Sequence, residues 1–214
     1  MKKRILLVVS SIAALSILIG SFAGATDPLT TVSSQVNVEI RAINSNQPID
    51  LVKIGDVLIT NNDLQSLKAY KKLEEKPVPS DSELLKEIII DELYLLKAKE
   101  EGVYVSLEDG KREAERLRAV LNAQPSNVQE VQKKILIAMG KSDDEYWSDF
   151  APVEYQKLLS RQNLTNKLME TNVLDESLQY EDFSKKLQEY KNNMFNSEFN
   201  TKVQVLNHEL VQVK

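Results

Sequence analysis

Four short stretches of this chain share one grammar. Thr60 and Asp63, Ser80 and Glu83, Ser106 and Asp109, and Ser142 and Glu145 each set a small hydroxyl residue three places before an acid. In that spacing the hydroxyl accepts a hydrogen bond from a first-turn amide and the acid reaches back to the cap. Each pair precedes a run whose apolar residues recur at helical spacing, so the chain is committed to helices that bury one face. The first helix runs from the Thr60 cap to about Leu73 and stops before Pro77 and Pro79. The second, Asp81 to Glu101, has a broad apolar face from Leu84 to Leu96 and a stop at Gly102. A charged helix follows from Leu107 to Asn122, then a shorter one from Val128 to Met139 that ends at Gly140. A long helical region starts after Ser142 and reaches about Thr171; Pro152 inside it predicts a kink near Phe150. The last helix spans about Glu176 to Phe195, with Phe183, Leu187, Tyr190 and Met194 on one face.

Three segments change period. Val36, Val38 and Ile40 alternate with polar residues and predict a strand from about Val36 to Ala42. Leu51 to Ile54 and Val57-Leu58 flank Gly55-Asp56, a two-residue hairpin signal. Near the end, Val203, Val205, Leu206, Leu210, Val211 and Val213 predict a closing strand with His208 near its middle, pairing with Leu51 to Ile54. The fold class is therefore mainly α, with a small β element built from N-terminal segments and the C-terminal strand.

Residues 1–25 read as a secretory leader: Lys2, Lys3 and Arg4, an apolar run from Ile5 to Ile19, then Ala23-Gly24-Ala25 as a small-residue cleavage site. An uncleaved anchor is the alternative, since the apolar run approaches a membrane span. Both place the remainder outside the cytoplasm, secreted or in the cell envelope, with membrane contact only through the leader. Residues 26–48 read as an extension carrying the short strand, and 49–214 as one domain. Without its basic leader the chain moves from a net charge of −5 to −8. That balance argues against nucleic acid, which needs a basic face to displace counterions from phosphates. The chain has no cysteine, so its core alone holds the fold.

Enzymatic chemistry has little to work with. The single histidine, His208, has no G-x-S-x-G elbow or second histidine to join, and Asp143-Asp144-Glu145 lacks the spacing and glycine of a calcium loop. No metal, cofactor or catalytic residue is expected, and the triplet Asn163-Leu164-Thr165 falls inside a helix. The aromatic group Tyr146, Trp147, Phe150 and Tyr155 carries two readings: a packed core, or a groove that accepts apolar segments of other polypeptides.

The order of these elements resembles a known family. The stretch from Leu51 through Gly55-Asp56 to Ile59-Thr60 and Leu64 is similar to the opening of SurA-like N-terminal domains, found also in PrsA-type foldases. Leu84 to Val103, Val105-Ser106, and Gly140 to Trp147 fit the same family in the same order. The resemblance implies an extracytoplasmic, ATP-independent chaperone whose helical cradle binds unfolded or exported polypeptides. The family's parvulin prolyl-isomerase part has no counterpart here: no Gly-Gly-x-Leu-Gly stretch, no histidine pair and no spare length. A non-catalytic envelope adaptor with one dedicated partner is the other expectation, and a residual prolyl isomerase a third.

Overall fold

The computed structural model describes residues 26–74 and 77–211. The leader, and the last residues of the expected closing strand, lie outside them. The elements run α1 (Thr26–Ser45), β1 (Asp50–Ile54), β2 (Val57–Thr60), α2 (Asn61–Lys71), α3 (Asp81–Glu100), α4 (Leu107–Asn122), α5 (Ser126–Met139), a single turn α6 (Asp143–Glu145), a turn of π-helix (Tyr146–Phe150), α7 (Ala151–Glu170), α8 (Tyr180–Lys202) and β3 (Val203–Val205). Mainly helical with a small antiparallel sheet, this is the fold class expected from the sequence.

All four capping boxes form in both directions, at Thr60, Ser80, Ser106 and Ser142. The hairpin turns at Gly55 with φ +55°. β1 is central in the order β2-β1-β3, and β3 pairs antiparallel to it with Val205 opposite Val52 and Val203 opposite Ile54. The two ends of the domain thus meet in one sheet. The closing strand is shorter than expected, because residues 208–210 form a turn and leave His208 exposed.

One expectation is corrected. Residues 36–42 are not a strand; they belong to α1. Val36 and Ile40 are buried, Val32 and Ile43 are packed beside them, and Val38 is 67 % exposed. Alternation of Val36, Val38 and Ile40 satisfied period two, but the burial follows the i, i+4, i+8, i+11 series from Val32. Burial of that stripe outweighs the slight helix aversion of β-branched side chains.

Two apolar cores share α7 as a spine. The larger gathers β1, β2, α2, α3, α8 and the second half of α7, including Leu51, Val52, Leu93, Tyr94, Leu164 and Phe183. The smaller gathers α4, α5, the π-turn and the first half of α7. A third, small cluster joins α1 to Ala69 and Leu73 at the end of α2 and to Ala138 of α5. Against α4, α7 lies very close. A Cβ on Gly110 would overlap the carbonyl oxygen of Pro152 and sit 2.9 Å from the Gln156 amide nitrogen. Ala114, one turn on, is fully buried on the same face. Gly110→Ala should therefore force the helices apart and cost about 1–3 kcal/mol, read as a lower urea midpoint. A midpoint like that of the unsubstituted chain would disprove this close approach.

Candidate functional site

The candidate aromatic group lies where the backbone changes helix type. Pro152 has no N–H for the carbonyl of Ser148, and its ring would clash with that carbonyl in an unbroken α-helix. The chain widens instead into the π-turn, where Ala151 N–H donates to the Tyr146 carbonyl five residues back, and α7 starts with Pro152 in its first turn. The kink expected near Phe150 is this turn.

Widening of the turn fans the rings. Tyr146 meets Trp147 edge to face at 5.0 Å and lies tilted over Phe150 at 5.5 Å. Trp147 is 8 % exposed, and Tyr146 and Tyr155 are buried with it among Ala114, Ile135, Leu136 and Met139. The Trp147 indole N–H donates to Asp143 Oδ1 at 3.2 Å, and Asp143 and Asp144 both accept from Arg118 of α4, at 2.5 and 2.7 Å. The acidic cluster therefore fastens α6 to α4. Phe150 alone among the four is part-exposed, with Lys141 Nζ 5.6 Å above its ring. Tyr146, Trp147 and Tyr155 form a packed core, and Phe150 is the member of the group with surface to offer.

The structure also brings together groups that the sequence reading did not single out. Between α3, α7 and α8, Asp91 faces two buried cations: Lys191 Nζ at 3.3 Å and Arg161 at 3.8 Å, their residues 5 % and 4 % exposed. Lys191 also lies 4.8 Å from the Tyr94 ring centroid, and the Tyr94 and Thr165 hydroxyls share a 2.9 Å hydrogen bond. Burial pushes the Tyr94 phenol up, and burial likewise raises the Glu92 carboxyl next to Asp91, against the pull of Lys157 and Arg161. Asp91, an acid directly after the run Ile88-Ile89-Ile90 in a helix with a broad apolar face, was the available signal.

A polar stripe on α7 holds the segment leading into α4. Gln156 and Asn163 donate to the Val105 and Val103 carbonyls, Ser160 Oγ accepts from the Val105 amide at 3.0 Å, and Lys167 Nζ donates to the Glu101 carbonyl. Asn163 is thus engaged, and Thr165 two residues on is buried. Lys167 and Lys97 also hold the Glu101 carboxyl down at about 2.

No family model, curated protein or solved structure matches this chain.

The third cluster completes the picture. Ala69, Leu73 and Ala138 floor an apolar seam between α2 and α5, and Tyr70 borders both this seam and the aromatic core. Burial pushes the Tyr70 phenol up to about 12, as expected for a hydroxyl shielded from water between the two clusters. The seam is filled by α1. Among the described residues no group of three or more His, Cys, Asp or Glu is placed to hold a metal, and no helix is long and apolar enough to cross a membrane.

Proposed function

We infer that this chain is an ATP-independent holdase working outside the cytoplasm, one that binds unfolded or newly exported polypeptides by reversible apolar contact. The observation that carries this is the seam: the end of α2 and α5 form an apolar trough, floored by Ala69, Leu73 and Ala138, that takes in the stripe of α1 from Val32 to Ile43. Apolar contact with such a floor is non-directional, which suits a surface serving many sequences. Phe150, part-exposed at the edge of the second body, adds an aromatic contact within the candidate group. The leader-like N-terminus and the SurA-like order of elements support the same reading. Release needs no nucleotide: a client leaves when it buries its own apolar surface.

Binding of a labelled, carboxymethylated α-lactalbumin, which cannot refold, tests the proposal by fluorescence anisotropy. Saturable binding, unchanged by ATP and lost when the same protein is supplied in its native, disulfide-bonded form, is expected. Equal binding of native and unfolded forms would argue for an adaptor that recognises one folded surface.

A further inference from the structure

The way α1 is seated sets it apart from the deep helices. One stripe, Ser33, Val36 and Ile40 with Val32 and Ile43 beside it, meets the seam, while Val38 and Arg41 face solvent. At the rim, Glu39 pairs with Lys72 at 2.6 Å, both side chains about two-fifths exposed, and pairs this accessible to water add little. The connection out of α1 is separated from the sheet by an anchor at Ile49. Ile49 is pinned to Asn61 through both its amide, which donates to Asn61 Oδ1 at 2.6 Å, and its carbonyl, which accepts from the Asn61 amide at 2.9 Å. Asn46, Gln47 and Pro48 lie between that anchor and the end of α1; a rotation there gives up one long hydrogen bond, from the Asn62 side-chain amide to the Asn46 carbonyl at 3.3 Å.

Resting on the holdase reading, we propose that α1 is a displaceable stand-in for the client, so that α1 and the client compete for the seam. The client segment is then an amphipathic helix with small or β-branched apolar residues at the spacing of Ser33, Val36, Ile40 and Ile43. An extended segment fits less well, because the seam is walled by side chains of two helices and offers no strand edge to pair its backbone. Binding is taxed by the fraction of molecules with α1 undocked, which keeps the apolar seam covered until a client arrives.

The absence of cysteine makes a clean test available in the full chain. A Cβ at position 140 would lie 4.0 Å from Asn37 Cγ, close to where the sulfur of a cysteine introduced at position 37 would sit. Asn37→Cys combined with Gly140→Cys can therefore lock α1 by oxidation, with no native thiol to compete. Gly140 has φ +66°, a strain that the reduced and oxidised forms carry alike. The probes are a labelled synthetic peptide of residues 26–45 and carboxymethylated α-lactalbumin. Both should bind the reduced variant, and oxidation should weaken both by about tenfold or more. Ile40→Asp, which loosens α1 but leaves the opposite walls intact, should bind both more tightly than the unsubstituted chain. Binding of the unfolded protein that ignores oxidation and Ile40→Asp would overturn the role of α1 and leave the holdase reading standing. Peptide uptake without any binding of the unfolded protein would instead overturn the holdase reading, and the client with it. A doubled mass in solution, with α1 docked on a second copy, would also overturn the proposal.

Discussion

Replacing Asp91 with alanine should lower the unfolding free energy by about 3 kcal/mol, the lower end of what removing one partner of a buried ion pair costs. Asp91 is the carboxylate that Arg161 and Lys191 share, and both cations are almost wholly removed from water. Without it, two charges remain buried at the junction of α3, α7 and α8. The loss sits at the lower end of the range because Glu92 also lies in the field of Arg161. Urea unfolding followed by circular dichroism checks the value. Pairing the change with Lys191→Met removes one stranded charge, so the double variant should lose less than the two single variants summed. A loss below about 0.5 kcal/mol for Asp91→Ala, the scale of an ordinary surface substitution, would show that the cluster does not join these helices.

Trp147→Ala should cost about 3–5 kcal/mol, the range for deleting a large buried aromatic. The ring is packed against Tyr146 and lines the core between α4, α5 and α7, and its N–H is spent on Asp143. Phe150→Ala should cost much less, since part of its surface already faces water. The two variants separate packing from contact. Trp147→Ala is expected to fail in thermal unfolding before it fails in binding, and Phe150→Ala to keep its melting temperature while weakening client binding. A Trp147→Ala chain that melts at the original temperature would return the tryptophan to the contact surface.

Local signals carried the helix starts, since a capping box is complete within four residues, and all four predicted starts are where the chain begins a helix. Pro152 located the change of helix type for the same reason: the missing N–H is a property of one residue. Pairing of β3 with β1 was legible because β-branched residues alternate at both ends of the domain. α1 was misread because Val36, Val38 and Ile40 satisfy two periods, and only the presence of α2 and α5 decides between them. The same limit applies to the site. Aromatic spacing marked a cluster, but which of its members faces water depends on α4 and α5, distant in the chain. Nothing next to Gly110 in the sequence marks its role, which depends on the backbone of α7 packing against it. Asp91, Arg161 and Lys191 are separated by up to 100 residues, and no window on the sequence brings them together.

Suppression of aggregation is the most direct measure of the proposed activity. Two unrelated proteins would be heated alone and with an equimolar amount of the purified chain, and light scattering followed in the presence and absence of ATP. Reduced scattering of both proteins, independent of ATP, is the predicted result; undiminished scattering of both would contradict the holdase account.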